Sequence, residues 1–303
     1  MRVNVHAAAI ALAAGTAITM AAGTAIPGMT ASSAGADPGC PAVYVIAIPG
    51  TWETGETRHT TGPGMLAGVT DGLPAHEQVA YVDYPATAFP WEGKAYGASQ
   101  KVAVDTAREM VRTTAERCAN THFALVGYSQ GADAAGDLAA EIGRGRGVVS
   151  PDRLKAVGLL SDPQRSPADI QVGPPAAGVG VRGSRPEGVG SIASRVRTIC
   201  AIGDLYCSTD DEDFITVIAG SLAGISDDHP DDLPLYRARA AELLAALRST
   251  DEQGGLSEQA RTERARQLAN FYGSGTHMSY GSYRVDGSHT AVTWLHDWLS
   301  GLG

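Results

Sequence analysis

The sequence lacks any concentration of positive charge. Lys and Arg provide 23 of the 303 residues and Asp and Glu provide 33, so the formal net charge is −10. Because the basic residues do not cluster, the sequence argues against nucleic acid or an anionic lipid surface as a partner. The rest of the composition, 44% hydrophobic and 18% charged, is typical of a globular protein and fits a single α/β domain.

Beyond its N-terminal stretch, the sequence also lacks an apolar run long enough to cross a membrane. Near the N-terminus, an apolar run over about residues 7–26 follows Arg2, and residues 34–36 (Ala-Gly-Ala) form an A-x-A cleavage signal. We interpret residues 1–36 as a secretory signal peptide that is cleaved after Ala36, which predicts an exported protein. An uncleaved anchor is the alternative, because the run approaches the roughly 20 residues that span a bilayer.

Cysteine is scarce, and all four cysteines follow the predicted signal peptide. An even number of cysteines in an exported chain favours disulfides, and four cysteines allow three pairings. The short spacing between Cys200 and Cys207 favours a local bridge, which would leave Cys40 to pair with Cys118. A metal site is the competing interpretation, but the sequence has no C-x-x-C motif to support it.

Short apolar runs alternate with segments of helical periodicity along much of the chain. The predicted strands are residues 43–48, 78–84, 122–126, 154–160 and 195–202. The predicted helices are residues 99–118, 133–142 and, at the end of the chain, 290–299. This alternation predicts an α/β fold in which helices cover both faces of a central parallel sheet.

Two stretches interrupt the alternation. Residues 162–190 are rich in Gly and Pro, which predicts a long surface loop. Residues 208–275 contain an apolar segment and two amphipathic segments, which predict a helical insertion. The insertion has two interpretations, a lid or acyl-chain groove and an additional structural layer packed on the sheet. We expect one domain over residues 37–303, with this insertion inside it.

Residues 127–131 (Gly-Tyr-Ser-Gln-Gly) match the pattern G-x-S-x-G. In a chain with 37 glycines the pattern alone is a weak signal, but here it lies between a predicted strand and an Ala-rich predicted helix. This order is typical of a nucleophile elbow, which lifts a serine hydroxyl above the sheet at a helix N-terminus. The pattern therefore predicts Ser129 as a nucleophile, with a glycine-rich turn of no chemical role as the alternative.

With Ala132, these residues resemble the nucleophile motif of the cutinase family. Residues 49–55 (Pro-Gly-Thr-Trp-Glu-Thr-Gly) are similar to the family's oxyanion loop, and residues 200–207 to its cysteine-bracketed segment with the catalytic acid. Cys118 lies shortly before Ser129 and Cys40 just before the first strand, as the family's first disulfide requires. The long insertion departs from compact cutinases, and the chain is most similar to larger envelope-associated cutinase-like lipases of actinobacteria.

The resemblance implies an α/β-hydrolase fold and a Ser-His-Asp triad that cleaves carboxylic esters, with no metal or organic cofactor. It assigns the acid to Asp204, between the two cysteines of the 200–207 segment. The rival acid is Asp162, which follows a predicted strand and precedes a proline.

The histidine of the triad is expected in the loop before the last helix. His277 is favoured, because residues 277–280 (His-Met-Ser-Tyr) resemble the family's H-x-x-Y segment. His289 is the main alternative by position. His229 falls in a predicted turn of the insertion, and His296 falls within the last helix.

The oxyanion hole requires donors directed at the developing negative charge. The backbone N–H of Gln130, the residue after the nucleophile, is the expected first donor. The resemblance implies Thr51 as the second donor. Together these features predict a secreted, monomeric serine esterase or lipase that acts on lipid or acyl esters and associates with the cell envelope. An envelope acyltransferase with the same triad and a non-catalytic secreted envelope protein are the alternatives.

Overall fold

The computed structural model describes residues 39–55, 64–88, 92–209 and 274–302. The predicted signal peptide lies outside these residues, as do most of the predicted insertion and His229. Within the described stretches, no helix is both long enough and apolar enough to cross a membrane.

Five strands form one parallel sheet in the order β2-β1-β3-β4-β5. They are β1 (Val43–Ile48), β2 (Glu77–Tyr81), β3 (His122–Tyr128), β4 (Leu154–Leu160) and β5 (Val196–Ile199). The three central strands are buried along almost their whole length, as expected where layers cover both faces of a parallel sheet. Because all strands run in one direction, their carboxyl ends meet at one edge, where ligand sites of such sheets lie.

The parallel sheet predicted from the sequence is confirmed, with differences at the strand ends. β1 and β4 have the predicted bounds, while β2 and β5 are shorter than predicted. β3 continues two residues further, because Gly127 and Tyr128 still pair with Leu159 and Leu160 of β4. This extension carries the sheet up to the residue before Ser129.

Four α-helices have their full bounds within the described residues. They are α1 (Ala67–Thr70), α2 (Tyr96–Arg117), α3 (Gln130–Gly143) and α4 (Ala291–Ser300). Alternate residues of β1 enter two apolar clusters: Ile46 and Ile48 pack with α2 and α3, and Val45 and Ala47 pack with α1 and α4. The sheet therefore has an apolar layer on each face, which fixes its carboxyl edge from both sides.

Residues 162–190 form a long connection, but the prediction of a surface loop was wrong for several of its side chains. Asp162, Gln164, Arg165 and Arg185 are all buried. Arg185 donates to both carboxylate oxygens of Asp162, at 2.9 and 3.2 Å. The frequency of Gly and Pro indicates a chain without regular structure, but it does not reveal that oppositely charged side chains bury one another.

Candidate active site

Ser129 lies in the sharp turn between β3 and α3. Its φ of 55° is a left-handed value that costs a non-glycine residue conformational energy. The backbone N–H of Ser129 donates to the carbonyl of Leu160 at 2.9 Å, and its carbonyl accepts from the N–H of Asp133 at 3.0 Å. The end of β4 and the first turn of α3 thus fix the position of the serine.

The two glycines of the motif are required by the close approach of three elements around this turn. A Cβ atom on Gly127 would collide with the carbonyl oxygen of Gly131. A Cβ atom on Gly131 would collide with the carbonyl oxygens of Ile48 and Pro49, at the end of β1. Both obstacles are backbone atoms, so a side-chain rotation would not relieve them.

The structure brings Ser129, His277 and Asp204 into one hydrogen-bonded chain. Nε2 of His277 lies 2.9 Å from Oγ of Ser129, and Nδ1 lies 3.0 Å from Oδ2 and 3.2 Å from Oδ1 of Asp204. The side chain of Asp204 is fully buried and that of His277 is 20% exposed. This series of hydrogen bonds therefore runs from a buried acid to a hydroxyl at the carboxyl edge of the sheet.

Asp204 accepts more hydrogen bonds than the one from the imidazole. Oδ2 accepts from Oγ of Ser161 at 2.6 Å and from the hydroxyl of Tyr280 at 2.7 Å, and Oδ1 accepts from the N–H of Tyr206 at 3.1 Å. Burial alone would raise the pKa of Asp204, but its hydrogen bonds with His277, Ser161 and Tyr280 lower the pKa below the ordinary value. The carboxylate is therefore ionised at neutral pH.

The loop that carries Asp204 is closed by the Cys200–Cys207 disulfide. The structure also forms the Cys40–Cys118 disulfide, which joins the segment before β1 to the end of α2. A disulfide stabilises the fold by reducing the chain entropy of the unfolded state. For the loop lengths here, this effect is about 2.5 kcal/mol for the short bridge and about 4.5 kcal/mol for the long one. The short bridge thus contributes more to the position of Asp204 than to overall stability.

Two aromatic side chains flank the His277 ring. The Tyr128 ring stacks on it at 5.2 Å between centroids, and the Tyr128 hydroxyl donates to the His277 carbonyl at 2.7 Å. The Tyr206 ring lies 4.4 Å away on a tilted plane. Sequence reasoning missed both tyrosines, although Tyr128 is the variable residue of the G-x-S-x-G motif and Tyr206 lies in the cysteine-bracketed segment.

The alternative residues lie in other surroundings. Asp162 is bonded to Arg185 rather than to an imidazole. His289 is partly exposed, with Nδ1 2.9 Å from Asp286, and Nδ1 of His296 lies 3.2 Å from the carbonyl of Val69. Among the described residues, no group of three or more His, Cys, Asp or Glu side chains is arranged to hold a metal ion.

The predicted oxyanion residues lie beside the elbow. Gln130 opens α3, so its backbone N–H has no acceptor within the helix. Its buried side chain donates to the carbonyls of Thr87 and Tyr96 at 3.0 and 3.1 Å, which fixes its position. Thr51 lies in the loop after β1, close in the chain to the Pro49 carbonyl against which Gly131 packs.

The loop around Thr51 is held by a carboxylate. Glu53 accepts from the N–H of Gly50 and from the N–H of Met65, each at 2.8 Å. The N–H of Trp52 donates to the carbonyl of Ala86 at 2.8 Å, which ties the loop to the segment after β2. The residues on both sides of Thr51 are therefore fixed by hydrogen bonds.

Comparison with known proteins places the chain in a family. The sequence model of the cutinase family matches residues 39–216, which is more than half of the chain and includes Ser129 and Asp204. The carboxylesterase Culp6 homolog of Corynebacterium glutamicum is 30% identical over 204 residues, which cover 55% of this chain and 65% of that protein. Cutinase CUT1 of Coprinopsis cinerea is 31% identical over 171 residues, 56% of this chain and 71% of that protein.

The chain thus spans slightly less than two thirds of the first of these relatives. Among solved structures, an acetylxylan esterase has a TM-score of 0.46 at 21% identity, with 66% of this chain and 98% of that chain covered. Lysin B from Mycobacteriophage D29 has a TM-score of 0.49 at 20% identity, with 68% and 89% covered. The family match and the parallel sheet show that the chain has an α/β-hydrolase fold and belongs to the cutinase family.

Proposed function

We propose that this protein is an exported serine esterase that hydrolyses carboxylic esters of lipids or other acyl compounds. The observation that carries the proposal is the continuous hydrogen-bonded chain from Ser129 through His277 to Asp204. Such an order of nucleophile, base and buried acid activates a serine for attack on a carbonyl. The names of the two relatives, a carboxylesterase homolog and a cutinase, support an ester as the substrate class.

In the proposed acylation step, Oγ of Ser129 attacks the ester carbonyl while Nε2 of His277 takes its proton. The carboxylate of Asp204 stabilises the resulting imidazolium through Nδ1 without taking a proton itself. His277 then passes the proton to the leaving alcohol, and the acyl group remains on Ser129. In the second half, His277 activates a water molecule that releases the acid.

Two backbone donors would hold the negative oxygen of the tetrahedral intermediate. The N–H of Gln130 begins α3, where the helix dipole adds to its attraction for negative charge. Among the residues that the structure describes, none accepts a hydrogen bond from the N–H of Thr51. Within that part of the chain the N–H of Thr51 is unpaired, which supports its assignment as a donor to the oxyanion.

Export is part of the proposal. Two disulfides within one domain are typical of proteins that fold in an oxidising compartment. The predicted signal peptide, residues 1–36, would direct the chain there. Association with the cell envelope remains a prediction from the resemblance to envelope-associated lipases, and a monomeric state remains a prediction as well.

The proposal is tested by ester hydrolysis with a series of p-nitrophenyl esters of increasing acyl length. We expect hydrolysis by the purified protein, its loss in Ser129→Ala, and retention in the control Ser282→Ala. Ser282 is an exposed serine, and among the described residues its hydroxyl donates only to the carbonyl of Ser279. Equal activity in wild type and Ser129→Ala would overturn the assignment of the nucleophile.

The same assay separates hydrolysis from acyl transfer. An acceptor alcohol is added at increasing concentration, and free acid and transferred ester are quantified together. The proposal expects free acid as the main product at low acceptor concentration. An excess of transferred ester under those conditions would contradict a hydrolase and favour an acyltransferase.

A further inference from the structure

Two hydroxyl groups converge on one oxygen of the buried acid. Oγ of Ser161 lies 2.6 Å and the hydroxyl of Tyr280 lies 2.7 Å from Oδ2 of Asp204. Both side chains are fully buried, as is Asp204. We call Ser161 and Tyr280 the hydroxyl clamp.

Each hydroxyl of the clamp is fixed by a second contact. The Tyr280 hydroxyl accepts from the N–H of Ala201 at 3.0 Å, which leaves its own proton to be donated to Asp204. Burial raises the pKa of Tyr280 well above its ordinary value, so the hydroxyl remains a donor across the working pH range.

Ser161 is placed by the end of β4. Its φ of 55° is left-handed, and its N–H donates to the carbonyl of Ile199 at 2.9 Å. Oγ of Ser161 also lies 3.1 Å from Nδ1 of His277, on the same side as Asp204. The strained backbone therefore directs this hydroxyl into the contact between the acid and the imidazole.

We propose that Ser161 and Tyr280 are positioning residues whose hydroxyls share the charge of Asp204 and thereby set the proton affinity of His277. The inference rests on the proposed function, because it assigns the base of that reaction. A carboxylate that loses one donor concentrates its charge on the remaining hydrogen bond. The imidazolium is then stabilised, and His277 is protonated at higher pH, where it no longer acts as a base.

Among the described residues, the other groups in contact with the His277 ring are the hydroxyl of Ser129 and the rings of Tyr128 and Tyr206. Neither clamp substitution alters them. Within the described part of the chain, the one carboxylate paired with His277 is that of Asp204. In Tyr280→Phe, a change in the pKa of His277 therefore reports on Asp204 and its donors. In Ser161→Ala, the change also includes the loss of the longer contact between Oγ of Ser161 and Nδ1 of His277, at 3.1 Å.

The test is an NMR titration of the His277 ring in wild type, Ser161→Ala and Tyr280→Phe. We expect the pKa of His277 to be higher in each clamp variant than in wild type, because a carboxylate that has lost a donor stabilises the imidazolium more strongly. The acid limb of kcat/KM should move to higher pH by the same amount. Tyr283→Phe is the matched control, because Tyr283 contacts the N–H of Ile202 and the ring of Tyr280 rather than Asp204.

Two variants are needed, because Tyr280→Phe also leaves the N–H of Ala201 without its acceptor and lowers stability. Superimposed titrations of wild type and Ser161→Ala would overturn the inference, as would a shift in Tyr280→Phe no larger than that in Tyr283→Phe. A lower kcat with an unchanged pKa of His277 would indicate a structural role alone. The NMR titration of His277 needs no turnover. A failure of ester hydrolysis would therefore overturn the proposed function without affecting the interpretation of the titration.

Discussion

The loops that follow β4 and β5 each place a buried aspartate near the carboxyl edge of the sheet. Asp162 follows β4 and meets the guanidinium of Arg185, while Asp204 follows β5 and meets the imidazole of His277. The other donors to Asp204 are neutral, so its negative charge can stabilise a protonated His277. Asp162 is paired with a permanent cation, so its charge is already balanced.

The surroundings of Asp162 extend this contrast. Nε of Arg185 donates to Asp137 at 2.8 Å, and Gln164 donates to Asp137 and Asp133 at 2.9 and 2.6 Å. These contacts tie the first two turns of α3 to the 162–190 connection. A carboxylate in such an ionic network supports structure, whereas a carboxylate among hydroxyls and an imidazole supports proton transfer.

The two buried aspartates should differ most in the effect of their substitution on turnover, with the larger loss at Asp204. We expect Asp204→Asn to lower kcat by about 10⁴-fold, because the amide does not stabilise the imidazolium and favours the wrong tautomer. Steady-state kinetics on an ester measure this effect, with Asp162→Asn assayed in parallel. A larger loss of kcat in Asp162→Asn than in Asp204→Asn would reverse the assignment of the acid.

Asp162→Asn should affect stability instead of turnover. The substitution removes the charge of one buried partner of Arg185 and leaves Asp137 as another, so the cost should lie below the roughly 3–5 kcal/mol of a fully uncompensated buried charge. Chemical denaturation gives the free energy of unfolding, and Asp152→Asn serves as control because its carboxylate is 94% exposed beside Arg195. Equal unfolding free energies for Asp162→Asn and the control would show that the ionic network does not stabilise the fold.

Removal of the Cys200–Cys207 disulfide tests whether this bridge matters more for the position of Asp204 than for the free energy of unfolding. The double variant Cys200→Ser/Cys207→Ser should lose about 2.5 kcal/mol, and Cys40→Ser/Cys118→Ser should lose about 4.5 kcal/mol. Because the short loop carries Asp204, we expect kcat to fall more in the first variant. The account would be contradicted if the long bridge had the larger effect on kcat at a temperature where both variants are folded.

The smallest expected effect is the pH dependence of stability at Asp204. The folded pKa lies below the ordinary aspartate value of about 3.9, so the ionised form stabilises the fold. This contribution is present above the ordinary pKa and is lost as the pH falls through the folded pKa. We expect the difference in unfolding free energy between wild type and Asp204→Asn to narrow below about pH 4 in urea titrations. A difference that stays constant there would contradict the lowered pKa.

The predictions from the sequence were most reliable for strands, turns and helices, which depend on residues that are close in the chain. β1 and β4 were found because continuous buried apolar runs mark central parallel strands. The strand, turn and helix around Ser129 were expected from its two glycines, and both glycines prove necessary for packing. The start of α2 was placed three residues too late, since no side chain caps the helix at Ala95.

Contacts between distant residues limited the prediction of the site. Asp162 and Asp204 both follow strands, and their different partners, Arg185 and His277, lie far along the chain. His277 and His289 both precede α4, and the family resemblance alone favoured the first. The hydroxyl of Ser161 was not considered, because no local pattern connects a residue after β4 to an acid after β5.

The central claim is that Ser129 is the activated nucleophile of the protein, and active-site labelling tests it most directly. The native protein is treated with a fluorophosphonate, and the number of labels per chain and the modified residue are determined by mass spectrometry. The account predicts one label per chain, on Ser129, with strongly reduced labelling in Asp204→Asn and normal labelling in Ser282→Ala. Unlabelled native protein, or a label on another residue, would contradict it.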